Sequence, residues 1–255
     1  MNKKFFCFLV SLLLIISPSF AADLTLENLI EKIQVNQSKI TDMYAETTTT
    51  MTSSIAMPGS KSKGPQTMVQ KGKMWTKGKD KSKIEMLSPM KQTTITNGDQ
   101  MAIINPETGQ KMIQDLSKME GRQGMAGQSG EMDLEKAREY FDLSVSTKKS
   151  EDGKISAYVI KGVPKEVNKF LGKMEFHIDP TRWVPTKVLM YNSKGKIMSQ
   201  SEIEYASFAV GKKGSVYVPL KNSSNVNTPA GKMKVEMVYG KIKVNKGIKD
   251  TEFKI

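Results

Sequence analysis

The stretch KSKIEMLSPMKQTTITNGDQMAIINPETGQKMIQD, residues 81–115, decides the fold. In Lys81–Leu87, Ile84 and Met86 alternate with Lys81, Lys83 and Glu85. That two-residue period belongs to a strand with one face on a core and the other in water. Strand-like runs follow at Gln92–Asn97 and Gln100–Asn105. Between them Asn97-Gly98-Asp99 signals a tight hairpin, because Asn and Gly accept the left-handed backbone such a turn needs. Pro106-Glu107-Thr108-Gly109 makes a second turn into Lys111–Asp115. Ile95 and the Met101/Ile103 pair are read as continuing the same apolar side, and the whole is a meander of short antiparallel strands.

Working outward, Thr67–Lys77 and the Thr-rich Tyr44–Ile55 read as further strands, separated by a flexible Pro/Gly/Ser/Lys stretch at 58–65. Before them, residues 24–42 form an amphipathic helix, with Leu26, Leu29, Ile30, Ile33 and Ile40 at three- and four-residue spacing and Thr25 at its start. On the other side, Ser117–Gly130 carries four glycines with Met119 and Met125. It reads either as a mobile flap or as a surface loop, and leads into a short helix over Met132–Phe141. Strands resume at Leu143–Thr147, Ile155–Lys161, Lys173–Asp179, Pro185–Asn192, Lys196–Phe208, Ser215–Asn222 and Lys232–Asn245, with a small helical insertion at Pro164–Gly172. In the last run Met233, Val235 and Met237 alternate and the phase slips at Gly240, the mark of a bulge or barrel corner. The fold class is mainly β with α (α+β). One domain is expected over residues 22–255, since no linker or second compositional regime divides them.

Residues 1–21 read as a cleaved secretory signal: Lys3 and Lys4, an apolar run over Phe5–Ile16 too short to span a bilayer comfortably, then Ser19-Phe20-Ala21 with small residues at the cleavage positions. The expected location is the periplasm. The only cysteine, Cys7, lies inside this segment, so the mature chain is expected to have no thiol, disulfide or lipid anchor. The formal charge of the 255 residues is +13, from 39 Lys+Arg against 26 Asp+Glu. Export and the near absence of arginine (Arg122, Arg138 and Arg182) argue against a nucleic-acid partner. The lysines suit transient contact with anionic membrane surfaces. A mean hydropathy of −0.40 excludes a polytopic membrane protein.

No catalytic set is evident. With one histidine and no mature thiol, only a Ser–Lys pair remains formally open, and no local motif marks one. No phosphate-cradling glycine loop is present, and no cofactor is expected. Glu175-x-His177-x-Asp179 places three metal-capable side chains on one strand face, but a closed site needs further ligands, so it reads as a polar face and no metal is expected. The 18 methionines are the compositional oddity, and 12 of them fall between Met43 and Met132. Core filling, the lining of a pliable apolar cavity and a soft copper(I) site are the three explanations. Methionine's flexibility and the wide spacing of these residues favour packing or a cavity over a metal chaperone.

Gly72-Lys-Met-Trp-Thr-Lys, Lys83-Ile-Glu-Met-Leu-Ser-Pro89 and Thr94-Ile-Thr-Asn-Gly-Asp99 running to Asn105-Pro106 resemble the LolA-type periplasmic lipoprotein carriers and lipoprotein-sorting proteins. Phe176-His-Ile-Asp179 followed by Pro185-Thr-Lys-Val is similar to a later hairpin of that family. Met101, Ala102 and Ile103 stand where members often place aromatics. The resemblance implies a half-closed antiparallel β-barrel with a helical lid, LolA/LolB-like. Its apolar cavity would hold the acyl chains of lipoproteins or another lipid and sort them toward the outer membrane without catalysis. An inner-membrane transporter and an outer-membrane acceptor would be the partners. The expected cavity residues are Met74, Trp75, Ile84, Met86, Ile95, Met101, Ile103, Met119 and Met125, with Leu29, Ile30 and Ile33 in the lid. An envelope sensor of the same fold is the alternative.

Overall fold

The computed structural model describes residues 24–54, 64–118, 134–168, 170–211, 214–228 and 231–255. The expected signal peptide and the 58–63, 119–130 and 132–133 segments lie outside the described residues, and Met119 and Met125 with them. After α1 (Leu26–Ser38) come β1 (Asp42–Ser53), β2 (Gln66–Lys77), β3 (Lys81–Ser88), β4 (Gln92–Asn97), β5 (Gln100–Ile104) and β6 (Lys111–Asp115). Helix α2 (Leu134–Tyr140) precedes β7 (Phe141–Lys149), β8 (Ile155–Pro164), β9 (Lys173–Ile178), β10 (Pro185–Tyr191), β11 (Ile197–Ala209), β12 (Ser215–Thr228) and β13 (Gly231–Val244).

All thirteen strands form one antiparallel sheet in the order β6-β5-β4-β3-β2-β1-β13-β12-β11-β10-β9-β8-β7. Two meanders, one running outward from β1 and one running back to β13, are joined where β1 pairs with β13. The sheet is not closed; β6 and β7 are its edges. The phase slip seen at Gly240 is a bulge in the β1–β13 ladder, opposite Tyr44–Glu46, with Lys241 in the left-handed region.

Helix α1 starts at Thr25, whose hydroxyl accepts from the Asn28 N–H at 3.2 Å, and ends short of the expected residue 42, because β1 begins there. Its buried stripe, Leu29, Ile30 and Ile33, joins Leu134, Phe141, Ile160, Met174, Phe176 and Ile178 in the main apolar cluster. Both helices therefore press on the β7–β9 end of the sheet. The void left beneath α2, among Leu134, Phe141, Leu143, Met174 and Phe176, is about 10 Å³ and offers a water no polar partner, so this end is solidly packed. The helical insertion expected over Pro164–Gly172 is corrected: β8 runs to Pro164, and the described residues beyond it are irregular, closing where Gly172 donates its N–H to the Tyr191 carbonyl and packs where a Cβ would sit 2.3 Å from Asn192 O.

The chain after β13 was not assigned an element from sequence. It crosses the opposite face of β2–β4 and ends in a short 3₁₀ turn, Asp250–Phe253. Asp42 receives the N–H groups of Lys246 and Gly247, Lys77 and Lys81 pair with Asp250, Lys83 pairs with Glu252, and Asn97 donates to the Phe253 carbonyl. Phe253 is fully buried.

Candidate functional site

Strand alternation and ladder register together sort every strand residue onto one of two faces. One face carries the helices. On it, Met112 stands opposite Ile103, Ile103 opposite Thr94, Thr94 opposite Ile84, Ile84 opposite Met74 and Met74 opposite Ala45. A neighbouring row holds Met101, Thr96, Ser82, Thr76 and Met43, and another Met86, Gly72, Thr47 and Tyr239. Met51 faces both Met68 and Val235, with Met233 and Met237 on either side of Val235. At the other end Met174 faces Met190. Of the twelve described strand methionines, eleven lie on this helix face, and Met198 is the extra residue of the β10–β11 bulge.

The two ends of this face differ. Over β7–β9 the side chains are sealed beneath helices, with Ile160 and Ile178 at 0% exposure. Over β2–β6 the described residues leave Met68, Met74, Met86, Met101 and Ile103 half-buried, while Ile84 and Met112 are exposed. The Gln70 side-chain amide donates to the Met86 sulfur, and the Gln114 amide reaches the Met112 sulfur at 4.0 Å. Near the same end, a cleft of about 760 Å³ separates the outer side of α1 (Glu31, Gln34, Val35) from the β2–β3 turn (Gly78, Lys79, Asp80). Its size is that of a ligand site, but most of its lining residues are polar or charged types and none of the methionines line it.

The structure brings together Met74, Ile84, Met86, Met101 and Ile103 and separates Trp75 and Ile95 from them. Trp75 follows Met74 directly in β2 and so points to the opposite face, where its ring meets Tyr44 at 5.2 Å and the Lys83 ammonium at 4.8 Å. Burial of Lys83 works against its charge, but hydrogen bonds to Glu85 and Glu252 outweigh that and raise its pKa. Ile95 pairs with Ala102, and both are buried on the face crossed by the C-terminal tail. Leu29, Ile30 and Ile33 lie in the core over β7–β9 and not above the methionines of β2–β6. Missed from sequence were Met51, Met68, Met112, Met233, Met237 and Tyr239. Their strand parity carried the signal, but only the β1–β13 pairing unites the two groups.

Of the polar trio at the end of β9, Glu175 and Asp179 are satisfied internally, whereas His177 Nε2 is buried without a hydrogen-bond partner among the described residues. Glu175 accepts from Lys173 at 2.6 Å and from the Tyr191 hydroxyl at 2.9 Å, and His177 Nε2 stands 4.0 Å from Glu175. Burial and the nearby Lys148 hold the His177 pKa below its ordinary value. Asp179 caps its own turn, accepting from the N–H groups of Thr181 and Arg182 and from the Arg182 guanidinium at 2.9 Å. Burial pushes its carboxyl up, but these donors prevail and hold it far below the usual carboxylate range. Among the described residues no three His, Cys, Asp or Glu side chains are grouped to hold a metal, and no helix is long and apolar enough to cross a membrane.

No family model matches the chain, and no curated protein matches it in sequence. Solved structures do. The LolA superfamily protein NE2245 from Nitrosomonas europaea is similar with a TM-score of 0.59 at 14% identity, over 91% of this chain and 98% of that one. A proposed outer membrane lipoprotein-sorting domain from Vibrio parahaemolyticus gives 0.55 at 15% identity, over 88% and 95%. A DUF1329 family protein from Desulfovibrio piger gives 0.56 at 12% identity, over 89% and 97%. With a single antiparallel sheet, helices on one face and this span of similarity, the chain has a LolA-like fold.

Proposed function

We propose that the protein is a non-catalytic carrier that seats the acyl chains of a lipoprotein or related lipid on the β2–β6 part of the helix face and moves them across the periplasm. The observation that carries this reading is the segregation of methionines. A sheet that needed only a core would not keep Met68, Met74, Met86 and Met101 half-buried on a surface that the described residues leave uncovered, while the C-terminal tail packs against the opposite face of β3 and β4. Unbranched thioether side chains repack around chains of different length and saturation. Each methylene removed from water contributes about 0.8 kcal/mol, so even part of an acyl chain binds well on such a surface. The Vibrio parahaemolyticus neighbour is named for lipoprotein sorting, which agrees with this use of the fold. Helices α1 and α2, seated over β7–β9, would close one end of that surface.

The test is native mass spectrometry of protein purified from cells with intact envelopes, followed by transfer of a bound acylated peptide between two vesicle populations. Co-purifying lipid and transfer that depends on the protein are expected. Absence of both in a folded sample removes the reading.

A further inference from the structure

We infer that the loop between β8 and β9 is a membrane-contact tip: Val167 and Phe170 enter the headgroup layer of an anionic bilayer, and Lys165, Lys194 and Lys196 engage its phosphates. This rests on the carrier reading for its purpose and adds the surface at which an acyl chain would be taken up or delivered.

Val167 and Phe170 are the most exposed large apolar side chains among the described residues, at 101% and 80%. The loop that carries them is tied at both ends. At its start the Lys165 N–H donates to the Tyr140 carbonyl at 3.0 Å, and at its close the Gly172 N–H donates to the Tyr191 carbonyl at 2.8 Å. Between these ties, Asn168 Oδ1 accepts the N–H groups of Phe170 and Leu171 at 2.9 and 3.1 Å. Leu171 packs against the main apolar cluster, whereas Phe170 beside it faces outward. A loop that served only to connect β8 to β9 would use its apolar residues as it uses Leu171. Two large apolar side chains held outward on one anchored loop mark a surface that meets another apolar phase.

Charge selects that phase. Gly172 packs against the β10–β11 turn, where a Cβ would stand 2.3 Å from the Asn192 carbonyl oxygen and 3.0 Å from Ser193 Cα, so the turn that carries Lys194 and Lys196 lies beside the loop. Lys165, Lys194 and Lys196 are exposed, and none pairs with a carboxylate among the described residues. Glu166 is the single acid among the described loop residues, so the neighbourhood is net positive. The β2–β3 turn at the opposite end of the strands differs on both counts: Gly78-Lys79-Asp80 has no apolar side chain, and its flanking Lys77 and Lys81 are held by Asp250. A bilayer with anionic headgroups supplies apolar depth and phosphates along one surface. Lysine stems lie along the apolar layer while their ammonium groups reach the phosphates. The exposed Tyr140 ring at the start of the loop is an aromatic body with a polar tip, the type of side chain enriched at membrane–water boundaries.

The experiment sediments the protein, purified as the cell processes it, with vesicles of phosphatidylglycerol and phosphatidylethanolamine or of phosphatidylcholine alone. Wild type is expected to bind the anionic vesicles more tightly by about tenfold or more, from the lysines. The double variant Val167→Ser/Phe170→Ser, at positions too exposed to disturb folding, is expected to bind them more weakly by about tenfold or more. Fluorescence of Phe170→Trp is expected to be quenched by lipids brominated on the acyl chain, and that of Val35→Trp, beside the β2–β3 turn, is not. Unchanged binding by the serine variant, or Phe170→Trp left unquenched, overturns the proposal. Wild type that binds no vesicle also overturns it and leaves the tip to a protein partner. Co-purified acyl lipid in that case leaves the carrier reading standing. Vesicle binding through Phe170 without co-purified lipid or transfer supports the tip and removes the carrier reading.

Discussion

Replacing Phe253 by alanine separates the two faces of the sheet experimentally. The side chain is fully buried under the C-terminal turn, next to strands β3 and β4, where Ile95 and Ala102 are buried as a cross-strand pair. Truncating a buried phenylalanine removes its transfer free energy and leaves a cavity, together about 3–5 kcal/mol. For a domain of this length each kcal/mol moves the melting temperature by about 2–4 °C, so a fall of roughly 6–20 °C is expected in differential scanning calorimetry. The ion pairs beside it contribute far less: Asp250, with its side chain 66% exposed, is screened by water and salt, and Asp250→Asn should leave the melting curve nearly in place. Below its new melting point, Phe253→Ala should still bind a fluorescent fatty acid with wild-type affinity, because the tail lies on the face away from the methionines. Affinity lost in the folded variant, or a melting temperature that does not move, would refute the assignment of stability to one face and binding to the other.

Two further perturbations test individual residues. Gly72→Ala drives a methyl group to 2.7 Å from the Glu85 carbonyl and should destabilise the protein by about 1–3 kcal/mol in urea titrations, with no loss if the β2–β3 bulge could relax freely. Asp179 has a folded-state pKa below its ordinary 3.8, so its contribution to stability is complete above that value and is lost as pH falls through 3.8 and on toward the depressed folded value. Asp179→Asn should therefore lower the urea midpoint at neutral pH and approach wild type in strong acid. A difference that is constant across pH contradicts this.

Much of the sheet was legible because each hairpin is local. The turn at Gly98, with its positive φ, and strands β4 to β6 follow directly from Asn97-Gly98, Pro106–Gly109 and two-residue alternation. What could not be read was long-range. The β1–β13 pairing joins residues nearly two hundred positions apart, and it alone brings Met233 and Met237 to the same surface as Met51, Met74 and Met86. The face of Trp75 and Ile95 was misjudged for a related reason. Alternation assumes one wet face, but the tail anchored by Phe253 buries a patch of the second face at Ile95 and Ala102 as well, so Ile95 looked like a cavity residue when it belongs beneath the tail. The stripe of α1 was correct in composition, and Leu29, Ile30 and Ile33 are its buried residues, yet nothing local in the helix says that it rests on β7–β9.

The most direct test of the central claim is displacement of a fluorescent fatty acid from three proteins: wild type, Met86→Asp on the helix face and Trp75→Phe on the tail face. A carboxylate among half-buried methionines carries a large desolvation cost when an acyl chain covers it. The account predicts tight binding by wild type and Trp75→Phe and its loss in a folded Met86→Asp. Full binding by Met86→Asp, with loss in Trp75→Phe, would contradict it.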